Sequence, residues 1–503
     1  MNSSLEFPSP SAIASIRLYI QQSWHTLTRS HKHLFASAID PKFPHRQNHP
    51  LPVYLSAKAD RPRIEQILQR TLTPSEWDKI ELRILPESVA QIEEPGLLYL
   101  PHPYVVPGGR FNEMYGWDNY FIQLGLWRDG ERSLAQNLTD NLLYEIQHYG
   151  KILNANRTYY LQRSQPPLLT QMILATYERS QDRTWLASTV SCIEKLYQDW
   201  ISPPHLHEPT GLSRYFELGE GPAPEAISDE RDEQGRTHYD RAIAYYQTHE
   251  VTAYDVRQFY DRDRHCLTPL FYKGDRTMRE SGFDPSERFG PFNVDIVHYL
   301  PVCLNVLLQQ MEEQTAQIYQ ILDQPEIAQT WINRAIQRTQ RINEYCWDEQ
   351  AGLYFDYNFQ TQQRRSYEFA TTFYPLWAGI ASATQAQRLV ENLPKFEAPG
   401  GLLTSTHVSG NQWDAPFGWA PLHHIAVAGL RRYGYYAAAN RLACKFISLV
   451  AQEFDRWGCI VEKYDVVRCT SQVSDEIEFG YSSNEIGFGW TNGVWLELLE
   501  TLT

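Results

Sequence analysis

Pro107-Gly108-Gly109-Arg110-Phe111-Asn112-Glu113-Met114-Tyr115-Gly116-Trp117-Asp118-Asn119-Tyr120 sets two adjacent glycines, an arginine, an acid and a Trp-Asp pair in one short stretch. Those ingredients suit the grip of a polyol. Guanidinium and carboxylate groups make strong, directional hydrogen bonds to hydroxyls, and the flat face of Trp117 offers an apolar surface to a sugar ring. The same residues could instead form a loop-to-helix cap with an internal ion pair.

Outward from this stretch, amphipathic helical periods recur over 134–149, 168–180, 185–200, 294–314, 327–343, 384–393 and 434–451. Strand-like alternation is scarce. Long loops rich in Gly, Pro and aromatic residues separate the helices at 104–116, 201–240, 397–420 and 462–489, and long loops in compact proteins usually carry function. Antiparallel helix pairs repeating every roughly 40 to 60 residues suit an all-α, closed α/α toroid with its loops gathered on one face. A helical solenoid is the alternative, and the lack of a self-similar consensus counts against it. Residues 1–60, rich in Ser, Pro, His and Lys, read as a helical lead-in, and 61–503 as the barrel.

Composition narrows the function. The 503 residues are 42% hydrophobic and 21% charged, the mix of a folded globular protein. Aromatic residues reach 13%, with 14 Trp and 31 Tyr, in keeping either with sugar stacking or with an aromatic core. A formal net charge of −15 repels phosphate backbones and anionic lipid, which disfavours nucleic acid and membrane partners and favours a small neutral ligand. Residues 1–15 lack a signal-peptide pattern, and no apolar run approaches the ~20 residues of a membrane span. The seven cysteines include no CxxC pair, which points to a reducing, cytoplasmic setting and no zinc site. His423-His424 is only a dipeptide, better read as barrel lining than as metal ligands, and no HExxH or calcium loop is present. No cofactor or metal is expected, and the oligomeric state, monomer or small homo-oligomer, is left open.

The opening stretch resembles the first signature of the trehalase family, PGGRFxExYxWDxY, at every fixed position. A second family signature, QWDxPxGWxP, is matched by Gln412-Trp413-Asp414-Ala415-Pro416-Phe417-Gly418-Trp419-Ala420-Pro421. Asn154-Ala155-Asn156-Arg157-Thr158-Tyr159-Tyr160-Leu161-Gln162-Arg163-Ser164-Gln165-Pro166-Pro167 is similar to NxNRxYYLxRSQPP, and Gly487-Phe488-Gly489-Trp490-Thr491-Asn492-Gly493-Val494 to the closing GFGWTNGV. The resemblance spans about residues 100 to 500. It implies the (α/α)6 barrel of inverting glycosidases, in which one carboxylic acid protonates the glycosidic oxygen and a second carboxylate activates water from the opposite face.

Glu280-Ser281-Gly282-Phe283-Asp284-Pro285-Ser286-Glu287-Arg288-Phe289 is similar to the family's ESGWDxSxRW, which implies Asp284 as the acid. Phe283 and Phe289 beside it would disfavour the ionised form; a helix-capping Asp before a proline is the plainer alternative. Val461-Glu462-Lys463-Tyr464-Asp465 resembles the EKYD segment and implies Glu462 as the base, with Asp475, Glu476, Glu478 and Glu485 as competitors and a solvent-facing Glu462–Lys463 pair as the plain alternative. The resemblance further implies a substrate-binding set of Arg110, Phe111, Trp117, Asp118, Asn154, Arg163, Gln165, Glu225, Gly282, Gln412, Trp413, Asp414, Trp419 and Trp490.

The match breaks at Gly221-Pro222-Ala223-Pro224-Glu225-Ala226, where the family carries TPRPES, and at Glu478-Phe479-Gly480-Tyr481-Ser482-Ser483-Asn484-Glu485, where it carries a glycine-rich run. With Ala223 in place of an arginine that reaches the leaving-group sugar, the sequence predicts a smaller leaving group. Glucosylglycerol, 2-O-(α-glucosyl)glycerol, becomes the expected substrate and trehalose the alternative; Arg214, Arg231 and Arg236 keep glucosylglycerate open. An inactive sugar-binding protein on the same barrel would have lost the acid or the base, and a phosphorylase would need a basic phosphate pocket in place of Glu462.

Overall fold

A computed structural model describes residues 5–43, 49–228, 231, 234–473, 477 and 484–502. It opens with helix α1, Pro10–Leu27, whose first turn Ser9 caps. A small layer follows: strand β1 Leu51–Leu55, helix α2 Arg61–Thr71, and strands β2 Ile80–Ile84 and β3 Leu97–Leu98. β1 is central and pairs in parallel with β2 and β3, and α2 packs Ile64 and Leu68 against the sheet. This sheet went unread in the sequence because β1 is buried along its whole length. A parallel strand covered on both faces reads as a continuous apolar run rather than an alternation.

The rest is a ring of helical hairpins: α3 Asp118–Arg128, α4 Arg132–His148, α5 Leu169–Ser180, α6 Arg183–Trp200, α7 Pro269–Glu280, α8 Val302–Ile321, α9 Pro325–Cys346, α10 Tyr374–Ala378, α11 Ala383–Phe396, α12 Ala420–Arg432, α13 Tyr436–Trp457 and α14 Gly489–Glu500. Among the described residues α3, α5, α8, α10, α12 and α14 form an inner ring, each touching the next and α14 returning to α3. Helices α4, α6, α9, α11 and α13 pack outside their partners, and α1 completes the outer ring against α13 and α14. This is the (α/α)6 toroid, with α1 built into it.

Sequence dictates which ring a helix joins. Outer α9 buries one stripe, Ala328, Trp331, Ala335, Arg338, Ile342 and Cys346, at three- and four-residue spacing. Inner α14 buries every residue from Gly489 to Leu499 except Glu497. It has no polar face because a helix or a loop covers each side. The helix expected at 294–314 begins instead at Val302 and runs to Ile321. Pro301 is its N-cap, and the apolar residues before it, Val294 and Val297, serve a second small core with Phe259, Phe271 and Phe292.

Closure of the ring rests on two glycines. A Cβ on Gly493 would stand 2.0 Å from the Phe121 carbonyl oxygen, and one on Gly125 would stand 2.6 Å from the Gly493 Cα. Gly493→Val should therefore cost about 3 kcal/mol or more through overpacking, read as a lower urea midpoint with an unchanged slope. A midpoint equal to the parent's would show that α3 and α14 can separate without penalty.

Candidate active site

The loops that enter the inner helices at their N-termini supply most of the side chains singled out by sequence; Asp118 and Trp490 sit in the first turns of those helices, and Glu225 in the short helix Pro224–Ser228. Loop 107–117 leads into α3, 150–168 into α5, 281–301 into α8, 397–419 into α12, and 484–488, which lies against 460–463, into α14. Backbone and side-chain bonds lace the first two together: Gly116 N donates to Asn154 O (3.3 Å), Asn154 N to Arg163 O (3.0 Å), and Trp117 N to Gln165 Oε1 (2.8 Å). Asn154 and Gln165 thus act in the scaffold through their backbone and side chain respectively, with both residues buried.

Trp117 is the hub of an aromatic floor, with ring centroids 5.6 Å from Phe283, 6.0 Å from Trp413 and 5.7 Å from Trp490. Trp413 lies flat on Trp419 at 3.9 Å. Gly282 has φ +79°, and a Cβ there would approach the Trp117 ring to 3.0 Å, so both the turn and the ring contact require glycine. At the rim, Arg110 stacks over Phe111 and pairs with Glu485 at 3.0 Å, which places the competitor Glu485 as Arg110's partner. Asp475, Glu476 and Glu478 lie outside the described residues.

Three carboxylates meet on this floor. Asp118 begins α3, and burial together with the nearby charges of Glu462 and Asp284 raises its pKa well above the usual carboxylate range. Glu462 is buried, not solvent-facing; Lys463 Nζ lies 3.1 Å from its Oε2, and Trp490 Nε1 donates to its carbonyl at 3.2 Å. Burial lowers the pKa of Lys463 despite that pairing. Asp284 is half-buried, and its carbonyl accepts from Gln412 Nε2. Among the described residues, the other amide atom, Gln412 Oε1, is buried without a hydrogen-bond partner, as is Arg163 Nη2. Buried polar atoms are seldom left so, and both are suited to substrate hydroxyls.

Arg163 anchors the polar wall. Its Nε holds Glu217 at 2.8 Å and its Nη1 holds Glu225. Burial would raise the Glu225 pKa, but the guanidiniums of Arg163 and Arg279 outweigh it and hold the carboxyl low. Sequence reading missed Arg279, which α7 presents next to Glu225. The available signal was its position just before the Ser281-Gly282-Phe283-Asp284 match. Asp275 positions it at 3.3 Å. Arg276, one helical turn back, binds Glu217 at 2.6 Å and the carbonyls of Glu220, Gly221 and Pro222, fixing the loop that delivers Glu225.

The geometry does not support the inference drawn from Ala223. Ala223 is fully buried against the small core of Tyr239, Phe259 and Phe271, and its N–H donates to Tyr239 Oη at 2.7 Å. Ala223 is packed in that apolar core, and Arg279 brings a cation to Glu225 from a helix. Of the proposed compensating cations, Arg214 binds the Pro204 and Val297 carbonyls, and Arg231 the Gly235 carbonyl. Arg236 is exposed.

Asp414, expected to bind substrate, has another part. It is fully buried, and its two oxygens accept from Glu287 N, Tyr367 Oη, Ser405 Oγ and Ser409 Oγ at 2.6–2.9 Å. Burial nonetheless pushes its pKa up to about 6. With every lone pair engaged, it ties the 405–414 loop to the segment after Asp284. His423 plays a similar part below the floor: Nδ1–H donates to Trp419 O (2.8 Å) and Nε2 accepts from Leu402 N (2.7 Å). Among the described residues there is no group of three or more His, Cys, Asp or Glu that could hold a metal ion.

A six-hairpin helical toroid with clustered carboxylates, an aromatic floor and unsatisfied guanidinium and amide atoms at one end is the architecture of a carbohydrate-processing protein. The trehalase family model matches residues 14–503, and the chain belongs to that family. It is similar to the cytosolic neutral trehalase of Saccharomyces cerevisiae at 37% identity, over 83% of this chain and 62% of that protein, and so spans under two thirds of that relative's length. The cytosolic neutral trehalase of Kluyveromyces lactis is 36% identical, over 95% of this chain and 70% of that one. The structure of neutral trehalase Nth1 from Saccharomyces cerevisiae superposes with a TM-score of 0.81 at 32% identity, covering 98% of this chain and 94% of that chain. At 18% identity and a TM-score of 0.52, the mannosylglycerate hydrolase of Thermus thermophilus shares the fold, over 78% of this chain and 95% of that chain.

His423 yields a pH prediction. Protonating Nε2 would set an N–H against the Leu402 N–H, and burial lowers the pKa from 6.5 to about 4. The unfolded chain takes up this proton first as pH falls, so the stability His423 contributes is full above 6.5 and is lost toward about 4. Asp414 works in the opposite direction, so the comparison must be internal. The gap in melting temperature between the parent and His423→Gln should narrow from about pH 7 to about pH 4.5; a constant gap would count against a neutral, doubly bonded His423.

Proposed function

We propose that this protein hydrolyses α,α-trehalose with inversion, working in the cytosol as its neutral trehalase relatives are named to do. The observation that favours trehalose over glucosylglycerol is the Arg163–Glu225–Arg279 wall, with Arg279 beside Glu225 and residue 223 turned into an apolar core. The argument for a smaller leaving group rested on a missing cation, and a cation is supplied from α7. A wall of alternating charges offers paired donors and acceptors to the hydroxyls of a whole second glucose. The names of the relatives support the same substrate.

In this reading Asp284 gives its proton to the glycosidic oxygen while Glu462, buried beside Lys463, takes one from a water that attacks the anomeric carbon on the opposite face. The C–O bond to the departing glucose breaks as the bond to water oxygen forms, releasing one β-glucose and one α-glucose. Asp284 ends ionised and Glu462 protonated, and exchange with solvent resets both. Burial and its acidic neighbours push Asp118 toward its neutral form, in which it offers a hydrogen-bond donor beside the pair.

Trehalose should be cleaved far faster than glucosylglycerol, glucosylglycerate or sucrose, with equal initial yields of β- and α-glucose by NMR. A preference for glucosylglycerol would reinstate the smaller leaving group, and binding without cleavage would favour a sugar-binding protein. Asp284→Asn and Glu462→Gln should each lower kcat about a thousand-fold with unchanged melting; near-parent turnover in either would remove that residue from the chemistry.

A further inference from the structure

The segment 37–43, between α1 and the small sheet, is strapped onto the loop that carries the polar wall. Arg157, fully buried, donates to the carbonyls of Ser37 (2.7 Å), Ala38 (3.1 Å) and Ile39 (3.1 Å) and pairs with Glu113 at 2.6 Å. Tyr159 Oη donates to Asp40 Oδ2 at 2.9 Å, and the Phe43 ring packs on Tyr159 at 5.1 Å. Lys42 N closes a turn on Asp40 Oδ1 at 3.0 Å. Tyr160, the next residue of the strapped loop, lies under the Arg163 guanidinium at 5.1 Å.

This anchoring fixes the backbone on both sides of Lys42 and brings its ammonium within electrostatic reach of Tyr115, Glu113, Glu225 and Asp40. Lys42 is only half-buried, and among the described residues its ammonium makes no hydrogen bond or ion pair. The surrounding cations are different: Arg110 holds Glu485, Arg163 holds Glu217 and Glu225, Arg276 holds Glu217, Arg279 holds Asp275, and Lys463 holds Glu462. Burial alone would lower the Lys42 pKa, yet Tyr115 and the three carboxylates more than offset it, so the ammonium stays charged. A charged donor on an anchored backbone near the Glu225 wall, without an acceptor among the described residues, has capacity for a ligand oxygen.

We propose that Lys42 is a specificity-determining residue that donates hydrogen bonds to hydroxyls of the leaving-group glucose on the Glu225 side of the site. The proposal rests on trehalose hydrolysis as read above. Lys42 comes from outside the hairpin ring, so recognition of the second sugar extends to the segment after α1. Its chemistry is that of a donor to neutral hydroxyl oxygens, without a step in bond cleavage.

The test compares two substrates with the same glucosyl group, trehalose and α-glucosyl fluoride, whose leaving group is too small to reach Lys42. Lys42→Met should raise KM for trehalose about ten-fold or more, with kcat/KM for the fluoride within about two-fold of the parent's, and Lys42→Arg should recover much of the trehalose loss. Lys42→Gln, with melting followed alongside, carries the same comparison if the Met variant does not fold. Equal losses on both substrates, or no loss on trehalose, would overturn the assignment. If the parent cleaves the fluoride but not trehalose, the trehalose reading itself falls and this proposal with it, an outcome visible before any variant is made.

Discussion

With Phe121 O only 2.0 Å from where a Gly493 Cβ would lie, the first and last inner helices touch backbone to backbone. The two helices belong to opposite ends of the chain, so this contact turns a row of hairpins into a ring. It also sets the site. Asp118 starts one of these helices, and Trp490 and the approach to Glu462 belong to the other. A wider crossing would move Asp118 away from Glu462 and Trp117 away from Trp490. Trp24 of α1 wedges against Gly125 and bonds Asp129, so the outermost helix presses on the same seam.

Closing the ring buries acids together, and the electrostatic consequence shapes the chemistry. Asp118, Asp284 and Glu462 share a site walled by Trp117, Phe283, Trp413 and Trp490, where like charges are costly. The protein meets that cost unevenly. Glu462 has Lys463 at 3.1 Å, whereas burial and the charges of Glu462 and Asp284 push Asp118 toward its neutral form.

What the sequence disclosed follows from burial. Outer helices such as α9 and α6 were legible because one face meets water and imposes a period. Inner α3, α12 and α14 lack a polar face and left no amphipathic trace, so their presence was implied only by the resemblance. The residues gathered here were legible as motifs, yet the parts their atoms play were not: nothing in QWDxPxGWxP distinguishes Gln412, whose amide nitrogen holds the Asp284 carbonyl and whose oxygen has no partner among the described residues, from Asp414, whose oxygens are wholly taken by hydrogen-bond donors. Such distinctions depend on which atoms have partners, a property of three-dimensional arrangement.

The Ala223 position shows the same limit from the other side. Read along the chain, an arginine had vanished from a substrate loop, and a change of leaving group followed. In space, the charge beside Glu225 comes from Arg279, which Asp275 steadies, while Tyr239 bonds both Asp275 at 2.8 Å and the Ala223 N–H. One buried cluster therefore sets the loop and the cation together, so an apolar residue at 223 and an arginine at 279 are parts of a single arrangement. The charge beside Glu225 is thus supplied by a helix and not by the altered loop. An inference from one altered loop position is sound only once every helix facing that loop has been placed.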